Sequence, residues 1–253
     1  DTTRAQTVAR LYEQMRRIRS FEQRVSRPYA DGEVPGFCHV SIGQESVAAG
    51  VCGGLGGSIH IADPSIGVFG ANGIVGAGIP IAVGAAIAAR HRGADDVAVS
   101  FFGDGAVAQG TFHESLNLAS LRRLAVLFVC ENNHVAKFSD SSTQHPVPPV
   151  ERAAAYGIEG VCVNGSDVEE VARVAGGLIE RIRAGGGLYL LEIEVEMDAA
   201  LASARGADLP APGNMGHLVL APAGPRPSND GDTMVTGDGG RSNRVHDRRR
   251  HEH

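Results

Sequence analysis

Apolar positions along this chain follow two alternating rhythms. Residues 97–102, 125–130, 158–163 and 188–195 are short, nearly unbroken apolar runs, each closed by glycine or polar residues. That is the pattern of strands covered on both faces. Between the first two runs, Phe112, Leu116, Leu118, Ala119 and Leu121 recur at helical spacing. Asp167 caps a second such stretch, where Val171, Val174, Leu178 and Ile182 face one way. Upstream, residues 8–29 place Leu11, Met15, Ile18, Phe21 and Val25 on one stripe and arginines on the other face. Residues 44–52 form a short helix, and residues 79–90 an alanine-rich one that stops before Gly93. Strands alternating with helices predict an α/β fold with a mostly parallel sheet flanked by helices.

Residues 97–139 are the centre of this pattern. They read as strand, Gly103-Asp104-Gly105 turn, helix, strand and polar Glu131-Asn132-Asn133 turn. Such a βαβ unit has parallel strands and a right-handed crossover, so both strands end on one edge of the sheet. Open α/β folds bind their ligands at that edge. Asp104 and Asn133 therefore leave it side by side. A carboxylate and a carboxamide offer hard oxygen ligands that suit Mg²⁺. Gly105 lets backbone approach closely, and the following helix start presents N–H groups to an anion, which points to a phosphate-bearing ligand. On its own, GDG also fits a plain strand-to-helix turn with Asp104 as its cap.

Composition narrows the classes. The net charge of −6 gives no reason to expect nucleic acid or an anionic membrane as partner. Scarce aromatics and absent tryptophan argue against a stacking surface for single strands. The four cysteines form no CxxC pair; Cys130 and Cys162 lie in strand runs and are expected to be buried thiols, in keeping with a reducing cytoplasm. No apolar run approaches the roughly 18 residues of a membrane span, and the amphipathic start carries acids and lacks an apolar core, so it does not read as a secretory signal. A dinucleotide-binding dehydrogenase would need a GxGxxG followed by an acidic residue, which is missing. Residues 1–195 read as one α/β domain. From 196 to 253 the composition turns to Gly, Pro, Ala, Asp and Arg, and an unstructured tail ending in RVHDRRRHEH is expected.

GDG, 26 intervening residues, then NN resembles the thiamin diphosphate motif. GGSIHIADP, GANGIVGAGIPIAVGAA, FFGDGAVAQGTFHESLNLA and VLFVCENN are similar to the α subunit of the E1 component of 2-oxo acid dehydrogenases, in the pyruvate or acetoin branch. The likeness runs from about residue 11 to 194. It implies a thiamin diphosphate-binding fold and the cofactors thiamin diphosphate and Mg²⁺. By the same resemblance the Asp104 and Asn133 side chains and the Val135 carbonyl ligate the metal, and Gly105 and Ala106 give N–H groups to the diphosphate. The backbone at Gly73 and Val75 holds the aminopyrimidine, and Asn132 braces the turn. The implied partners are an E1 β subunit in an α2β2 heterotetramer, a lipoyl-bearing E2, and a small 2-oxo acid or acetoin as substrate. The glutamate that activates the cofactor is implied to lie on the β subunit. His113 and Glu114 fit packing or subunit contacts and His134 a solvent-facing position, so no catalytic residue is assigned to this chain.

Two departures accompany the likeness. At VCGGLGGS, residues 51–58, the chain lacks several tens of residues that relatives carry between the counterparts of Leu55 and Gly56, with an HRxHG motif inside them. Gly216-His217 is a GH pair like one after the family's last strand, but its surroundings differ and the role does not transfer. These departures leave open a second reading, a shortened non-catalytic relative that serves as a scaffold or is a degraded copy.

Overall fold

The structure is a computed structural model that describes residues 2–30, 45–47, 49, 67–71, 74–136, 139–196 and 217–221. Its elements in chain order are α1 (Thr2–Ala30), β1 (Val68–Ala71), α2 (Gly78–His91), β2 (Val97–Gly103), α3 (Gly110–Arg122), β3 (Val126–Asn132), β4 (Val135–Ala136), β5 (Ser139–Asp140), α4 (Pro149–Ala154), β6 (Glu159–Asn164), α5 (Val168–Arg181), β7 (Tyr189–Glu194) and β8 (His217–Ala221). Six strands form one sheet in the order β1-β8-β2-β3-β7-β6, and β4 and β5 form a small hairpin. The strands β2, β3, β7 and β6 run parallel, whereas β8 pairs antiparallel with β2 and with β1. The α/β fold with a mostly parallel sheet is as the apolar runs predict.

Topology divides the helices between the two faces. The chain steps one way along the sheet from β2 through β3 to β6, then back to β7, which inserts between β3 and β6. With right-handed crossovers, forward and backward steps put their helices on opposite faces. Accordingly α2, α3 and α4 bury Ile79, Val83, Phe112, Leu116 and Ala153 against Phe102, Phe128 and Leu190. On the other face α5 buries Val171, Ala175, Leu178 and Ile179 against Val99, Leu127, Leu191 and Ile193. Every residue of β2 and β3 is buried, which explains why their sequences show no polar alternation. The helix α5 starts as expected, with the Asp167 carboxylate accepting from the N–H groups of Glu169 and Glu170 at 3.0 Å.

The sequence expectations need four adjustments. A short 3-10 turn over Asp104–Ala108 is not expected from the sequence; the helix after it spans Gly110–Arg122, close to the 109–123 read from the sequence. Cys130 is buried but Cys162 is exposed, since β6 is the sheet's edge strand and Cys162 lies on the side away from α5. In α1 the apolar stripe is not uniformly inward: Phe21 is 48% exposed while Glu22 is 2% exposed. Within the stretch expected to be unstructured, residues 217–221 form β8, an apolar HLVLA segment that adds to the free edge of β2. The proposed junction at residues 51–58 and the terminal RVHDRRRHEH lie outside the described residues.

Phe112 links α3 to β2, with its ring edge-on to Phe102 at a centroid separation of 5.8 Å. Truncation at such a fully buried position loses transfer energy and leaves a cavity. Phe112→Ala is expected to destabilise the chain by about 3–5 kcal/mol in urea unfolding. A loss below about 1 kcal/mol would contradict this placement of α3.

Candidate cofactor and metal site

The register of β2 on β3 pairs Gly103 with Glu131, so Asp104 and the Asn132-Asn133 pair emerge together at one end of the parallel strands. Asp104 is 2% exposed. The Ser141 hydroxyl donates to its Oδ2. Among the described residues, no arginine or lysine pairs with it. Burial pushes the Asp104 carboxyl above the usual carboxylate range, against the opposing pull of the Gly105 N–H, His145 and His134. The imidazole of His145 is itself buried and its Nε2 has no hydrogen-bond partner. A buried carboxylate without a cationic partner beside an unpartnered buried nitrogen is costly unless a ligand completes it.

The second wall is a tightly tied turn. Asn132 donates from Nδ2 to Glu192 Oε1 at 2.7 Å and accepts the His134 N–H on Oδ1 at 3.0 Å. Asn133 accepts the Val135 N–H on Oδ1 at 3.0 Å. His134 takes φ +60°, the left-handed region that non-glycine residues seldom occupy, and its carbonyl accepts the Ser141 N–H. Such conformations cost about 1–2 kcal/mol and persist where surrounding bonds impose them. The turn leads into β4, and the β4–β5 hairpin folds back toward the 3-10 turn. A Cβ on Gly105 would lie 3.0 Å from the Ala136 Cβ, so this approach depends on glycine at 105.

Asp104, Gly105, Ala106, Asn133 and Val135 are thus gathered at one sheet edge. The 3-10 turn supplies the N–H groups of Gly105 and Ala106 in place of an α-helix start. Val75 lies in the turn that opens α2 and is 61% exposed. That turn abuts the start of α3, since a Cβ on Gly76 would meet Thr111 Oγ1 at 3.0 Å. Gly73 lies outside the described residues. His134 is exposed, and His113 is tied to the Tyr156 hydroxyl at 2.7 Å. Sequence reasoning missed Ser141, His145 and Glu192. Ser141 and His145 sit in a polar loop that carries no pattern. Glu192 did leave a signal, a carboxylate inside the otherwise apolar run LYLLEIEV.

The arrangement can hold a small divalent cation on hard oxygens and an anion on backbone amides. Residues 50–195 match the dehydrogenase E1 component family. The chain belongs to that family. Relatives include the α subunits of acetoin:2,6-dichlorophenolindophenol oxidoreductase from Cupriavidus necator, 40% identical over 75% of this chain and 70% of the relative, and from Bacillus subtilis, 39% identical over 72% and 67%. The pyruvate dehydrogenase E1 component subunit α of Rhizobium meliloti is 34% identical over 72% of this chain and 64% of its own length. The Cupriavidus alignment runs over 232 residues yet takes in only 75% of this chain's 253, so it opens gaps on this chain's side. The oxygens of Asp104, Asn133 and the Val135 carbonyl are a donor set that would suit a hard divalent cation.

The raised pKa of Asp104 makes a signed prediction for the ligand-free E1 chain. A carboxyl that holds its proton more tightly folded than unfolded loses folding stability as pH rises from its ordinary value of about 3.9 through the folded value. Asp104→Asn removes that penalty. The variant is expected to melt above the wild type at pH 7, with the gap closing as pH falls toward about 4. Equal melting temperatures at pH 7 would show that Asp104 carries no burial penalty.

Proposed function

We propose that this chain is the α subunit of a thiamin diphosphate-dependent E1 dehydrogenase that acts on acetoin or on a small 2-oxo acid such as pyruvate. The observation that carries this reading is the juxtaposition of Asp104 and Asn133 at the ends of two adjacent parallel strands, in a chain of the E1 family. When bound, thiamin diphosphate supplies the chemistry of cleaving a bond next to a carbonyl.

This chain's share is binding and orientation. Asp104, Asn133 and the Val135 carbonyl hold Mg²⁺, whose charge offsets both the buried carboxylate and the diphosphate. The N–H groups of Gly105 and Ala106 meet the diphosphate, and the backbone at Gly73 and Val75 holds the aminopyrimidine. Ser141, which donates to Asp104 Oδ2, would share that oxygen with a bound metal. The catalytic glutamate is contributed by a β subunit in an α2β2 assembly, and the acyl group passes to a lipoyl arm of E2. Domain 1–195 carries these functions, without the HRxHG-bearing segment near residues 55–56; the alignment gaps support that shortening. The location proposed with this reading is the cytoplasm; no helix among the described residues is long and apolar enough to cross a membrane.

Calorimetric titration of Mg²⁺–thiamin diphosphate, with and without a co-produced β subunit, tests the reading. Binding by the assembled pair is expected, and its loss in Asp104→Ala by at least about a hundredfold, as befits a direct metal ligand. Equal affinity in Asp104→Ala would sink the assignment. An assembled pair that binds nothing would favour the scaffold reading.

A further inference from the structure

Glu192 lies in the middle of β7, 2% exposed, with a formal charge and no arginine or lysine partner among the described residues. Its Oε1 accepts from Asn132 Nδ2 at 2.7 Å and its Oε2 accepts the Val150 N–H at 2.8 Å. Val150 is in the first turn of α4, where backbone N–H groups lack helical partners. One buried carboxylate therefore ties together β7, the start of α4 and the turn after β3. Nothing in the packing of a strand requires a charge there, since a leucine of similar volume would fill the same layer at lower desolvation cost.

The bond to Asn132 carries information as well as energy. A carboxylate only accepts hydrogen bonds, so Asn132 must turn its amide nitrogen toward Glu192. That orientation leaves Asn132 Oδ1 facing the other way, where it accepts the His134 N–H. The His134 bond holds the left-handed residue on which the turn depends, and Asn133 and Val135 flank it. We propose that Glu192 is a positioning residue for the metal site: by fixing the amide orientation of Asn132, it sets the turn that presents Asn133 and Val135. The inference rests on the metal role proposed for those two residues.

The substitution Glu192→Gln makes the point testable. Against the Val150 N–H, which can only donate, the introduced carboxamide must present its oxygen, so its amide nitrogen faces Asn132. Asn132 must then turn its own oxygen toward β7 and abandon the His134 N–H. The substitution Asn132→Asp, opposite the native glutamate, instead sets two carboxylates against each other. Together, Asn132→Asp and Glu192→Gln keep the shape, the summed charge and all three hydrogen bonds, because the carboxylate now on β3 accepts from both sides. A residue of general structural importance would not be rescued by this swap.

The experiment is hydrogen exchange on the full chain without ligand, read at the His134 and Val135 amides, with Mg²⁺–thiamin diphosphate titrated into the same proteins paired with the β subunit. Each single variant is expected to speed exchange at His134 and to weaken cofactor binding about tenfold to a hundredfold, the usual effect of losing a residue that orients a metal ligand. The double variant is expected to restore both. Unchanged exchange in Glu192→Gln, or a double variant that stays as fast as the singles, overturns the inference. So do single variants that exchange fast yet bind as tightly as wild type. If wild type binds no cofactor while exchange still follows the swap, the functional reading fails and the orientation of the turn by Glu192 stands.

Discussion

The parallel pairing of β2 with β3 is the constraint on which everything at the site depends. Six backbone register pairs, from Ala98 with Val126 to Gly103 with Glu131, fix the two strands to end level. A strand cannot slip by one residue without turning each buried side chain to the opposite face, and here both faces are covered by helices. The level end is therefore set by packing far from the site. Phe102 and Phe128 on one face, and Val99 and Leu127 on the other, decide where Asp104 and Asn133 emerge.

Above that edge, the chain concentrates groups that packing alone would avoid. Asp104 and Glu192 are buried carboxylates, His145 has an unpartnered nitrogen, and His134 holds a left-handed backbone. Each carries a cost, and all four lie on or beside the turns that follow β2 and β3. Sites that bind ions and anions are where such costs are tolerated, because the ligand removes them. The Ser141 hydroxyl on Asp104 and the Val135 N–H on Asn133 satisfy part of this demand internally.

The sequence made the sheet and the central unit legible because their signals are local. VAVSFF is apolar but for Ser100 and VLFVC throughout, and the stretch between them carries helical periodicity and ends at Arg122, with Arg123 in the left-handed conformation that closes a helix. Asp104 and Asn133 followed from topology, since two parallel neighbours must end together. The 3-10 turn after Gly103 was not legible, as the five residues DGAVA are too few to carry a period. Nor were Ser141 and His145, which reach Asp104 only because the β4–β5 hairpin folds back over Gly105. The strand β8 was hidden by its surroundings, where glycine and proline dominate around five apolar residues. Glu192 could have been suspected from its position in an apolar strand, but its partners on Asn132 and Val150 come from two other elements.

The central claim is that β2 and β3 bring Asp104, Asn133 and Val135 to one metal ion. Crystals of the α–β assembly grown with thiamin diphosphate and Mn²⁺ in place of Mg²⁺ would test it through the anomalous scattering of manganese. The account predicts one strong peak between the Asp104 and Asn133 side-chain oxygens and the Val135 carbonyl, at about 2.1–2.2 Å, slightly beyond the distances of Mg²⁺. A manganese peak held by other residues, with Asp104 still bonded only to Ser141, would contradict it.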